Sequence, residues 1–142
     1  MEKQKNAYKI KFKEIGSPDI GFISVWESAM EFPFEVKRVF WTYHTPLNVK
    51  RGYHAHHETD LVLVALTGTI EVNVEYPDGT CALYILDNPS EGLFIPHFCW
   101  HTMRYQNAAF QLVLASTLYS EADYIRDYKD FILTYNDWKS NG

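Results

Sequence analysis

The chain is expected to fold as an all-β domain, a sandwich or barrel of many short strands. Three observations carry this. Stretches rich in β-branched and aromatic residues recur along the chain, turn residues punctuate them at short intervals, and helical signal appears only near the C-terminus. With 142 residues, the length suits one domain, 1–142. Hydrophobic residues make up 46% and aromatic ones 16%, which supplies a packed core and excludes disorder.

The elements follow in order. Ala7 to Phe12 alternates apolar and polar residues, and Gly21 to Trp26 does so more loosely. Val36 to Tyr43 is aromatic and β-branched. Leu61 to Leu66 is a continuous apolar run, the signature of a strand covered on both faces. Thr67-Gly68 breaks it, and Thr69 to Tyr76 follows as a further strand. Pro77-Asp78-Gly79 is a hairpin turn, because Pro presets φ and Gly accepts a positive one; Thr80 to Leu86 is its return strand. After the loop Asp87–Gly92 come Leu93 to Pro96, His101 to Tyr105 and Ala109 to Ala115. Ser120 is placed to cap a short helix from Glu121 to about Tyr128, with Glu121 and Asp123 in its first turn. The aromatic stretch Tyr128 to Trp138 then packs on the barrel or on a neighbouring subunit.

Composition narrows the partners. Thirteen Lys and Arg against eighteen Asp and Glu leave a net charge of −5, and no basic stripe runs along any element, which excludes nucleic acid. Met1 to Asn6 is polar with no apolar signal core, and Leu61–Leu66 is far too short to span a bilayer, so no membrane role and a cytoplasmic location are expected. Cys81 and Cys99 lie in apolar, strand-like contexts without a C-x-x-C pairing and are expected to be buried free thiols.

The histidines carry the chemistry. His54 and His56 are one residue apart, so on a strand both face the same side. Two imidazoles on one apolar face are costly to bury without partners. Asp60 lies four residues beyond His56, and His101 five beyond Pro96. Gly52, His54, His56, Asp60 and Gly68, then Gly92, Pro96 and His101, resemble the two motifs of the cupin fold. The resemblance implies a double-stranded β-helix, the RmlC-like jelly roll, with a short C-terminal helix. Two chemistries remain open at this point. His54, His56, Asp60 and His101 are a metal-ligand set; the same inward histidines, with no metal, are a general acid and base. His44, His57 and His97 are read as ordinary core or surface residues.

A narrower resemblance rests on Lys37-Arg38-Val39, on Arg51-Gly52-Tyr53-His54-Ala55-His56 with Leu61–Val64, and on Gly92–Pro96 with Trp100-His101. Val113–Ser116, Tyr119 and Asp123-Tyr124-Ile125-Arg126 complete it. These segments resemble the sugar 3,4-ketoisomerases, the FdtA/QdtA/WxcM-like cupins, from about Tyr8 to Tyr135. The resemblance implies an isomerase that moves the ketone of a dTDP-linked 4-keto-6-deoxyhexose from C4 to C3, in deoxyaminosugar and O-antigen biosynthesis, with no metal or other cofactor. It implies His54 and His56 as the catalytic pair, and Arg38, Arg51, Tyr43, His101 and Arg104 as substrate contacts. It also implies a homodimer in which N-terminal strands join the partner's sheet.

The chain departs from the family pattern in places. Phe40-Trp41 stands where a tyrosine pair is usual, leaving Tyr43 as the nearest phenol. Asp19-Ile20-Gly21 lacks an expected arginine, and His57 and Asp60 replace residues that are commonly Lys and Glu. Phe22 and Arg104 match positions near the site, and Arg104 inclines the expected product to the galacto configuration. A metal-dependent cupin enzyme, a C3/C5 sugar epimerase and a non-catalytic nucleotide-sugar-binding cupin are the competing expectations.

Overall fold

A computed structural model describes residues 5–27 and 32–141, so Met1 to Gln4 of the polar N-terminal segment lie outside the described residues. The chain runs through β1 (Tyr8–Lys11), β2 (Lys13–Ser17), β3 (Gly21–Val25), β4 (Arg38–Thr42), β5 (Lys50–His56), β6 (Leu61–Glu75), β7 (Cys81–Leu86), β8 (Glu91–Ile95), β9 (Trp100–Ala115) and β10 (Tyr124–Ile125). Helix α1 (Tyr128–Asn141) ends it.

The long strands β6 and β9 pair with each other antiparallel and organise the rest. Each bends once. The register slips between Ala65 and Thr69, where Gly68 has a φ of 71°, opposite Asn107 and Ala108, whose φ values are also positive. A Cβ on Gly68 would sit 2.6 Å from the Ala109 Cα, so only glycine lets the strands cross this closely. The bend divides each strand between two arms. Leu61–Leu63 and Gln111–Ala115 carry β8, β1 and β4 at their edges. Ile70–Glu75 and His101–Arg104 carry β7, β5 and β10. The result is the expected antiparallel roll, in which breaks read as strand ends at Gly68 and near Asn107 are bends within continuous strands.

The core lies between the arms. Ile70, Val72 and Val74 are fully buried on one face of β6, as period-2 alternation requires, and meet Leu86, Leu93, Ile95 and Val113. The run Leu61–Leu66 is covered on both sides over most of its length: Leu61, Leu63 and Ala65 face this core, while Val62 and Val64 pack with Phe94, Phe32 and Phe34. Strands β2 and β3 form a separate hairpin with Ile15, Phe22 and Ile23 exposed.

Three sequence expectations are corrected. Residues Glu121–Asp123 make a single 3-10 turn without a side-chain cap from Ser120, because Tyr124 and Ile125 are drawn into pairing with β5. The α-helix instead starts at Tyr128, with the Asp127 carboxylate accepting from the Lys129 amide. It seats Phe131, fully buried, against Ala55, Trp100 and Ile125; the side chains of Tyr135 and Trp138 are not among those described. Cys81, the first residue of β7 after the hairpin turn, is exposed, whereas Cys99 is buried; neither forms a disulfide. Among the described residues no helix is long and apolar enough to cross a membrane.

Candidate active site

One cavity of about 210 Å³ opens between the arms, bounded by Leu61, Leu63 and Val113 on the first and by His54, His56 and His101 on the second. Strand register assembles them. Gly52, with φ 94°, and Tyr53, with φ 57°, bulge β5 so that His54 comes opposite His101. A Cβ on Gly52 would meet the His101 carbonyl oxygen at 2.6 Å, so this approach needs glycine. The His54 ring lies 5.1 Å from that of His56 and 4.7 Å from that of His101, centroid to centroid.

Each imidazole is held by Nδ1. His54 Nδ1 donates to the Gly52 carbonyl at 3.1 Å, and His101 Nδ1 to the Cys99 carbonyl at 3.1 Å. A carbonyl oxygen only accepts, so both rings carry the proton on Nδ1 and present a bare Nε2 when neutral. His56 Nδ1 donates at 3.0 Å to the Asp123 carboxylate. That carboxylate also accepts from the Glu58 amide at 2.7 Å and from the Thr59 hydroxyl, which is itself bonded to Thr117 at 2.6 Å. Asp123 thus orients His56, and a relay of hydroxyls orients Asp123.

The environment keeps these rings neutral. Burial, then repulsion from His56, pushes the His54 pKa down to about 4. Burial lowers His56 as well, against the pull of Asp123, and lowers the fully buried His101 well below its usual value. Burial works to raise Asp123, but Thr59, the Glu58 amide and His56 hold it below the usual carboxylate range. At neutral pH the cavity therefore holds three lone-pair nitrogens backed by one carboxylate.

Arg51 lines the cavity, and so does Arg126. Arg126 is pinned by two bonds to Glu121, at 2.5 and 3.0 Å, and lies 4.2 Å over the Tyr124 ring. Arg38 stands between the rings of Phe40 and Tyr119, and its buried Nε lacks a hydrogen-bond partner among the described residues. The other expected contacts lie elsewhere. Tyr43 is exposed and stacks on Phe110, while Arg104 is exposed on β9 between Lys50 and Glu71. Phe40 and Thr42 face the cavity, which turns Trp41 outward, 56% exposed.

The ligand atoms of His54, His56 and His101 lie within 4.8 Å of one another. The alternative four-residue metal set is not assembled among the described residues: Asp60 stands outside the histidine cluster, its Oδ1 accepting from the His97 amide and from His97 Nδ1, both at 2.8 Å. His97 is therefore a structural partner. Sequence reasoning left Asp123, Tyr124 and Arg126 out of the site although it singled out their segment. The signal available was their i, i+2 spacing for Tyr124 and Arg126, which places both on the cavity face once β10 pairs with β5.

The chain matches the family model described as "FdtA: WxcM-like, C-terminal" over residues 5–136. It is 36% identical over 124 residues to a TDP-4-oxo-6-deoxy-alpha-D-glucose-3,4-oxoisomerase of Aneurinibacillus thermoaerophilus, covering 86% of this chain and 87% of the relative. It superposes with a TM-score of 0.87 at 32% identity on a variant of the 3,4-ketoisomerase QdtA from Thermoanaerobacterium thermosaccharolyticum in complex with TDP-4-keto-6-deoxyglucose, over 95% of this chain and 97% of that one. A 4-keto-6-deoxy sugar epimerase of Streptomyces spheroides, NovW, shares the fold alone, with a TM-score of 0.68 at 16% identity over 83% of this chain and 67% of that one.

Proposed function

The chain belongs to the FdtA, WxcM-like family, and from that premise we propose that it is a 3,4-ketoisomerase acting on a TDP-linked 4-keto-6-deoxyhexose. The observation that carries this is the set of Nδ1-anchored, neutral imidazoles facing one small cavity. Moving a ketone from C4 to C3 needs a base at the C3 hydrogen, proton traffic between O3 and O4, and charge stabilisation for the enediolate.

His54 is the base: its bare Nε2 and depressed pKa keep it ready at neutral pH. His56 carries the proton from O3 to O4, and the Asp123 carboxylate stabilises the imidazolium that forms in passing. His101, wholly buried beside His54, bounds the sugar pocket. Arg51 and Arg126 face the developing oxyanion. The unsatisfied Nε of Arg38 suits a sugar or diphosphate oxygen, since a buried donor without a partner is unfavourable until a ligand supplies one. Tyr43 and Arg104 stand outside the pocket in this mechanism. No step uses a metal.

The enzyme is read as cytoplasmic and homodimeric. The exposed apolar face of the β2–β3 hairpin and the outward Val39, Trp41 and Tyr43 supply the surface a partner would cover. Light scattering at micromolar concentration checks the dimer, and a monomer refutes it.

Proton NMR of the protein with TDP-4-keto-6-deoxyglucose, in deuterated buffer containing EDTA, tests the function. The expected result is a 3-keto sugar with deuterium at C4, its coupling constants reporting the galacto configuration. Unchanged substrate refutes the assignment; conversion that requires added metal refutes the metal-free mechanism.

A further inference from the structure

The cavity is rich in proton acceptors and poor in donors. His54, His56 and His101 each commit Nδ1–H to a fixed acceptor, so none offers an N–H to the sugar while neutral. The guanidinium groups of Arg51 and Arg126 do not release a proton. The Thr42 hydroxyl is an aliphatic alcohol bonded to Tyr105. The phenol of Tyr124 is different. Tyr124 pairs with His56 across β10 and β5, its ring lies 4.5 Å from that of His56 and 5.1 Å from that of His54, and its hydroxyl has no hydrogen-bond partner among the described residues. The Arg126 guanidinium, 4.2 Å over the same ring, stabilises the phenolate left when that proton departs.

We propose that Tyr124 is the catalytic acid that delivers the proton to C4, a role that rests on the isomerase reading above. The step balances without an oxidant or reductant. His54 Nε2 takes the C3 hydrogen as a proton, the C3–H electron pair becomes the C3=C4 double bond, and the C4 carbonyl opens onto O4. His56 carries the O3 proton to O4. The C3–O3 carbonyl then forms as C4 takes the phenolic proton, and the His54 imidazolium returns a proton to the Tyr124 phenolate. Hydrogen leaves C3 and O3 and arrives on C4 and O4.

Tyr124→Phe keeps the ring against both histidines and under Arg126, removing only the hydroxyl. The expected result is a fall in kcat of about 100-fold or more with KM changed by less than about threefold. Because His54 is intact, the variant still exchanges the C3 hydrogen for solvent deuterium in substrate that it fails to convert. Turnover within about threefold of the parent enzyme overturns the proposal, since His54 then returns its own proton to C4. Loss of C3 exchange together with conversion also overturns it, by placing the phenol on the deprotonation side. Failure of the parent enzyme to convert the substrate sinks the isomerase reading itself, a result separable from any behaviour of the variant.

Discussion

Acidification tests the electrostatics of His54 directly. A free imidazole titrates near 6.5, whereas burial and the neighbouring His56 push the His54 pKa down to about 4 in the fold. Across that interval the unfolded chain binds a proton that the native protein refuses. The contribution of neutral His54 to stability is therefore complete above about pH 6.5 and is lost as pH falls towards about 4. At about 1.36 kcal/mol per unit, the full gap corresponds to about 3 kcal/mol, of which about 2 is lost between about pH 7 and pH 4.5. His54→Asn cannot take up that proton. Urea unfolding of both proteins at the two pH values is the assay, and the parent should lose about 2 kcal/mol more than the variant on acidification. The same group sets the acid limb of kcat/KM, which should reach half its plateau near pH 4 rather than near 6.5. Parallel loss of stability in the two proteins, or an acid limb centred near 6.5, refutes the depressed pKa.

Three substitutions probe the supports of the site. Asp123→Asn leaves an amide oxygen for His56 Nδ1 but removes the charge; kcat at neutral pH should fall by about 10- to 100-fold, and turnover within about threefold of the parent would deny Asp123 its orienting role. Gly52→Ala drives a Cβ into the His101 carbonyl at a φ of 94°; a loss of about 1–3 kcal/mol in urea unfolding, with turnover falling too, is expected as His54 and His101 separate. Phe131→Ala empties the fully buried contact between α1 and β5, and should lower unfolding free energy by about 3–5 kcal/mol.

Much of this molecule was legible from local pattern. The β-branched stretch Thr69 to Tyr76 read as a strand, and the i, i+2 spacing of His54 and His56 put both imidazoles on one face of β5, the face that lines the cavity. His101 followed from its motif. The C-terminal region was less legible. Glu121 to Asp123 carry acidic residues that suit a helix N-terminus, yet the chain makes one turn and yields Tyr124 and Ile125 to β5. Local propensity lost to a sheet edge that lies 68 positions from Tyr124 along the chain at His56.

The sequence by itself determined most of the strands and the pair of histidines, because each follows from backbone periodicity. Only the tertiary structure decided which groups surround those histidines. It turned Asp60 away to His97, brought Asp123 to His56 across 67 residues, and set Tyr124 and Arg126 in the cavity wall. Those placements depend on strand register, and register is a property of paired strands that no single strand carries in its own residues.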